Sequence, residues 1–319
     1  AALPTELQWQ HPNYTIFPPA NIFPFHYCHT SSTNILQFHY YHFCYNKSIP
    51  MFNNFFNHKH SSSNPNLDLS FLTYKNFAHR GLHGNFFQSR TKTFIPENSL
   101  AAFQNAIDHQ FAIELDIHIL SDKKIIVFHD NNTKRLTDSS IKLKKSTVED
   151  LQSLSLQPQQ TGKEHHIPTF RKVLNLIAGQ APLIVELKSE PFVNYKYFCQ
   201  KTTRLLLEYQ KKYPTAKFAV KSFDPRIVRW FKKHTDAFPA GLLIASHPSI
   251  LIYFGSIFLH FPLNHYLKPD FLSVDKKIVH RTSIQKFRKD HPVLCWTIQD
   301  ESEYNFYKNK ADNLIFEKY

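Results

Sequence analysis

The chain has 319 residues, enough for one large domain or two small ones, and its 42% hydrophobic content can fill a sizeable core. No segment reaches the roughly 18 to 20 uninterrupted apolar residues of a membrane-spanning helix, which excludes an integral membrane segment of that kind. The net charge of +13 raises nucleic acid as a partner, but the positive residues are scattered with no run longer than a pair. The charge is therefore read as a solvated basic surface that attracts a small anionic substrate, not nucleic acid.

Residues 1–74 contain no Gly and no Arg, only Lys47, Lys59, Glu6 and Asp68 as charged side chains, and much His, Asn, Phe, Tyr and Pro. Neither helical nor alternating periodicity persists there, so little stable structure is expected before about Tyr74. The segment lacks the basic start and clean apolar stretch of a signal peptide, and its seven histidines have no regular metal-ligand spacing. The only methionine is Met51. The expectation is a low-order extension over 1–74, with translation starting at or after Met51, followed by a folded domain over 75–319. Cys28, Cys44, Cys199 and Cys295 form no CxxC pair and no zinc spacing, which suggests reduced thiols and a cytoplasmic protein.

From Asn76 the pattern alternates strand and helix. Strands are predicted at Asn76–Arg80, Ala112–Ile117, Leu183–Lys188, Lys217–Phe223, Ala240–Ala245, Asp270–Val274, Val293–Ile298 and Asn313–Glu317. Helical patterns cover Leu100–His109, Phe170–Ile177, Tyr195–Lys212, Arg226–His234, Ser283–Lys289 and Glu301–Asn309. Eight such repeats argue for an α/β fold closed as a (β/α)8 barrel. A further apolar run, Ile125–Phe128, follows too closely on Ile119 for a parallel crossover. It is read as the return strand of a hairpin turning near Ser121-Asp122-Lys123-Lys124, which brings His129 beside Asp116, with a small insertion at 131–167. The apolar stretch Ile250–Phe261 reads as a short helix or a lid.

Three of these strands end in charge: Ile113 leads into Glu114 and Asp116, Ile125–Phe128 into His129, and Leu183–Val185 into Glu186 and Lys188. A buried strand avoids carboxylates unless they are paired or bind metal. Glu114 and Asp116 are two apart and share a face of their strand. With Glu186 they offer three hard oxygens suited to one divalent cation, Mg²⁺ or Ca²⁺. His79 and His129 each end an apolar strand and are candidate general acid and base. Arg80 and Lys188 supply fixed positive charge for phosphate. His118, His165 and His166 lack this setting and are read as surface or core residues. Together these groups describe hydrolytic phosphoryl transfer.

The chain here resembles the glycerophosphodiester phosphodiesterase family, through His79-Arg80-Gly81, Pro96-Glu97-Asn98-Ser99, Ile113-Glu114-Leu115-Asp116, Val127-Phe128-His129-Asp130, Arg135-Leu136-Thr137, Ile167-Pro168-Thr169, Val185-Glu186-Leu187-Lys188, Ser222-Phe223 and Trp296-Thr297. The resemblance implies a (β/α)8 barrel that hydrolyses a glycerophosphodiester to glycerol 3-phosphate and an alcohol. By position it implies that Glu114, Asp116 and Glu186 hold the metal, that His79 and His129 are the acid–base pair, and that Arg80 and Lys188 contact phosphate. Glu97, with Asn98 beside it, becomes a supporting acid that orients His79 or Arg80 or touches glycerol hydroxyls, while Phe223 and Trp296 line the substrate pocket. One departure is the ending Ile315-Phe316-Glu317, where many relatives carry Thr-Asp. Others are a long first loop from Gly84 to Phe94 and Lys142, Lys144 and Lys145 in the insertion, read mainly as a solvated face. The alternatives are a lysophospholipase D or sphingomyelinase D-like enzyme, for which Ile250–Phe261 offers an apolar entrance, and an inactive barrel used for binding.

Overall fold

The computed structural model describes residues 67–85, 94–157, 164–246 and 267–317. The extension through residue 66, including Met51, lies outside these, as do most of the first loop and the segment Ile250–Phe261. Strands β1 (Phe77–Ala78), β4 (Ala112–Ile119), β6 (Leu183–Leu187), β7 (Phe218–Ser222), β8 (Ala240–Ile244), β9 (Phe271–Asp275), β10 (Val293–Ile298) and β11 (Asn313–Phe316) pair in parallel, and β1 pairs with both β11 and β4. The sheet is thus closed, as the eight repeats predict. Helices α2 (Leu100–Asp108), α4 (Phe170–Ile177), α5 (Tyr195–Lys212), α6 (Pro225–His234), α7 (Thr282–Phe287) and α8 (Glu301–Tyr307) fall where the periodicity places them. Most begin on a side-chain cap that takes an otherwise orphan backbone N–H: Ser99, Thr169, Asn194, Asp224 and Asp300. None of the helices among the described residues is long and apolar enough to cross a membrane.

Alternation along the strands sorts side chains into two cores. Ile113, Leu115, Leu183, Val185, Phe218, Val220, Leu272, Val274 and Cys295 pack outward in the core that includes helix residues such as Phe170, Phe198 and Phe231. The intervening residues Phe77, Ala112, Ile184, Ala219, Phe271, Leu294 and Ile315 form a separate apolar layer inside the barrel. The next inward positions toward the strand C-termini are polar: Glu114 and Asp116 on β4, Glu186 on β6, Lys221 on β7 and Ser273 on β9. Apolar filling at one end and charge at the other fix the polarity of the barrel.

Two features were not expected from the pattern. A short helix, α1 (Phe71–Tyr74), precedes β1 and inserts Phe71 and Leu72 into the inner apolar layer. Asn313 Nδ2 donates to Leu72 O and Lys75 O, 2.7 Å each, and ties α1 to β11. Helix α1 therefore lies inside the segment 1–74 for which little stable structure is expected. Residues Gly84–Asn85 (β2) and Phe94–Ile95 (β3) also form a small antiparallel ladder in the first loop.

The hairpin is present. Strand β5 (Ile125–Val127) runs antiparallel to the end of β4, with Ile117 opposite Val127. Lys123, at φ +67°, makes the turn. Residues 131–157 and 164–167 then fold over the hairpin, where Leu136, Leu143, Leu151, Leu156 and Ile167 pack on Leu120, Ile126 and Phe128 in a third apolar cluster. A 3₁₀ turn (Leu143–Lys145) and helix α3 (Val148–Gln152), begun by a Thr147/Asp150 capping box, supply its frame.

Candidate active site

Strand register assembles the polar end. Asp116 is opposite Glu186, and Glu186 is opposite Lys221. One carboxylate oxygen each from Glu114, Asp116 and Glu186 lies within 4.8 Å of the others, and all three residues are buried. Three converging hard oxygens suit a divalent cation, with further positions for water or substrate oxygens. The donor set fits the group that the sequence implies.

The acids are densely paired. Lys188 Nζ lies 2.8 Å from Asp116 Oδ1 and 2.5 Å from Glu186 Oε1. Lys221 Nζ lies 2.8 Å from Glu114 Oε1, an ion pair, and 4.0 Å from Glu186 Oε2. Arg80 donates its backbone N–H to Glu114 Oε2 at 3.1 Å, and its Nε is 3.5 Å from Asp116 Oδ2. Burial pushes both Glu114 and Asp116 toward the neutral form. The opposing field of Lys221 holds Glu114 below the usual range, and that of Lys188, His129 and Arg80 holds Asp116 well below it. For Lys188, burial favours the neutral amine, but Asp116 and Glu186 outweigh it and raise its pKa.

Arg80 and Asn98 both take left-handed backbone, φ +56° and +53°, which is uncommon outside glycine and clusters at functional sites. Asn98 N–H donates to Arg80 O at 2.9 Å, and Asn98 Nδ2 donates to Asp116 Oδ2 at 3.0 Å, so the second motif is clamped onto the first. Gly81, at φ +78°, passes Ala102 so closely that a Cβ would sit 2.9 Å from its backbone.

Each candidate histidine has its Nδ1 against a carboxylate. His79 Nδ1 is 2.8 Å from Glu317 Oε1, and His129 Nδ1 is 2.7 Å from Asp130 Oδ1. A proton placed on Nδ1 leaves Nε2 as the reactive atom in both rings. Asp130 accepts from Arg135 Nε at 2.7 Å, and Arg135 spans to Glu97 through Nη1 and Nη2 at 2.9 and 2.7 Å. Glu97 Oε1 also accepts from Arg80 Nη1 at 2.8 Å. Of the roles considered for Glu97, the structure shows the contact with Arg80 and adds Arg135. His118 is buried on β4, with Nδ1 3.1 Å from Glu190 Oε1 and Nε2 3.1 Å from His129 O, so it braces the backbone of His129.

Trp296 and Phe223 meet edge to face at 5.9 Å between ring centroids, and Trp296 Nε1 is buried without a partner. Lys142 and Lys145 are exposed, and Lys144 lies 5.9 Å from the Phe192 ring.

Four site residues carried no assigned role in the sequence. Lys221 ends the apolar run Phe218–Val220 in the same manner as Glu186, so its signal was present. Glu317, at the departure from the Thr-Asp pattern, serves His79. Arg135 is a bridge that only folding reveals. His83, in the first loop, feels the charges of Glu97, Glu317, His79 and Arg80; burial holds it neutral, with its pKa lowered to about 4, and its Nε2 has no partner.

A closed parallel barrel with two carboxylate-backed imidazoles and an acidic cluster at the strand C-termini defines a (β/α)8 barrel with a candidate active site at its polar mouth. Residues 79–315 match the model of the glycerophosphoryl diester phosphodiesterase family. The chain belongs to that family. It is 29% identical over 170 residues to a glycerophosphodiester phosphodiesterase of Caldanaerobacter subterraneus, covering 52% of this chain and 65% of that protein. To human lysophospholipase D GDPD1 it is 28% identical over 155 residues, covering 44% and 43%. The chain thus spans about half the length of the curated relatives it matches. Among solved structures, a phosphodiesterase of Oleispira antarctica superposes with a TM-score of 0.59 at 19% identity, over 77% of this chain and 94% of that one, a likeness of fold.

Proposed function

We propose that the protein is a metal-dependent phosphodiesterase that hydrolyses glycerophosphodiesters to glycerol 3-phosphate and an alcohol. The observation that carries this is the pair of imidazoles, His79 and His129, both fixed through Nδ1 and both within the electrostatic reach of Asp116 in the acidic cluster. Two rings with Nε2 available serve as acid and base: one takes the proton of the attacking oxygen, the other returns a proton to the departing alkoxide. The attacker is water or the neighbouring glycerol hydroxyl; either route uses the same two rings. Arg80 and Lys188 place positive charge where phosphate oxygens bind, and Phe223 with Trp296 line the pocket for the alcohol. Glu114, Asp116 and Glu186 would hold Mg²⁺ or Ca²⁺, which supplies polarisation of the phosphoryl oxygens when bound. The Oleispira antarctica structure holds the product sn-glycerol-3-phosphate, which supports the substrate class.

A second reading, lysophospholipase D activity on lipid substrates, is favoured by the likeness to human GDPD1. One assay separates the readings: release of glycerol 3-phosphate from glycerophosphodiesters of several head groups, and of choline from lysophosphatidylcholine, with Mg²⁺, with Ca²⁺ and with chelator. Cation-dependent release of glycerol 3-phosphate is expected. Undiminished release in chelator would sink the metal role, and turnover of the lysolipid alone would favour the second reading.

A further inference from the structure

Lys221 is 3% exposed, on a strand interior, and has no place in the acid–base scheme above. A buried ammonium is expensive unless it is paired, so its position has to be explained by its partners. Those partners are Glu114 at 2.8 Å and Glu186 at 4.0 Å, two of the three acids that converge as a cation site.

The formal charges decide what such an ammonium does. Glu114, Asp116 and Glu186 carry three negative charges, and Arg80, Lys188 and Lys221 carry three positive ones in direct contact with them. The cluster is neutral before any divalent ion arrives. With the ion it carries two positive charges, against a phosphodiester monoanion that gains negative charge as it reacts. Without Lys221 the same site starts at minus one, holds a cation more tightly, and ends one unit less positive toward phosphate.

We propose that Lys221 tunes the site, weakening divalent-cation binding in exchange for stronger binding of the phosphate group. The proposal rests on the metal-dependent reading and names the residue that sets its affinity. A merely structural lysine would stabilise the barrel and leave both affinities alone.

The test uses the full-length protein, calorimetric titration with Mg²⁺, Ca²⁺ and Mn²⁺, and separate titration of the cation-loaded protein with glycerol 3-phosphate. Lys221→Met and Lys221→Gln should tighten cation binding by about tenfold or more, the scale of one unit charge removed at close range from a buried site. They should weaken glycerol 3-phosphate binding, while Lys221→Arg stays near the wild type. Unchanged cation affinity in both neutral variants overturns the proposal. Because removal of the ammonium leaves Glu114 without its ion pair, melting curves across cation concentrations accompany the titrations. A larger cation-induced rise in Tm than in the wild type supports the proposal, and variants that fold at no cation concentration assign Lys221 to structure alone and overturn it. Asp116→Asn separates the two levels. Wild-type binding that is lost in Asp116→Asn but unaltered in the neutral Lys221 variants removes only the role of Lys221. A wild type that binds no divalent cation removes the metal reading with it.

Discussion

His79 and His129 follow different strands, β1 and β5, but are built alike, each ring carrying a carboxylate at Nδ1. The carboxylates differ in origin: Asp130 is the next residue in the chain, whereas Glu317 follows the last strand, β11, which lies beside β1 in the closed sheet. His129→Ala is expected to lower kcat by about 10² to 10⁴-fold with the far-UV circular dichroism unchanged, the usual weight of a general acid or base. Near-normal turnover would remove it from the chemistry. Glu317 has its pKa lowered from 4.5 to about 2, chiefly by the hydrogen bond from His79. A carboxyl depressed on folding contributes stability that is present above its unfolded value and is lost as pH falls toward the folded one. The wild type should therefore exceed Glu317→Gln in Tm above pH 4.5, and that lead should shrink as the pH falls from 4.5 toward 2. A constant lead across this range would mean that the ion pair with His79 is not what holds Glu317.

Strands were the most legible elements, because a buried strand that ends in charge is rare enough to stand out. The hairpin β4–β5 is readable from spacing alone, since the five residues between Ile119 and Ile125 cannot carry a parallel crossover. Helix α1 was not: four residues, Phe71–Tyr74, show no periodicity, and their placement depends on a hole at the bottom of the barrel that exists only after closure. Gly241 belongs to the same class. It is opposite Phe271 in the register of β8 and β9, and a Cβ there would sit 2.3 Å from the Phe271 ring. Its φ is ordinary, so the need for glycine is one of volume inside the barrel. Gly241→Ala should cost about 1 to 3 kcal/mol in urea unfolding, the range for overpacking a filled core. A neutral result would show that the Phe271 ring moves aside freely.

At the scale of the molecule, the inner apolar layer needs its stopper. Removal of residues 1–66 is expected to leave Tm and turnover unchanged, whereas removal of residues 1–75 takes away Phe71 and Leu72. That should lower stability by about 1.5 to 3 kcal/mol for each lost side chain. Equal stability of the two truncations would show that α1 is dispensable. The amino-acid sequence by itself determined the (β/α)8 repeat, the hairpin and the candidates Glu114, Asp116, Glu186, His79 and His129, because alternation and strand-end charge are local signals carried within a few residues. What only the tertiary structure decided are the partnerships between residues distant in sequence: Glu317 with His79, Arg135 between Asp130 and Glu97, and Lys221 between Glu114 and Glu186. These join positions up to 238 residues apart. Their geometry follows from the register of eight strands at once, a property that no local window contains.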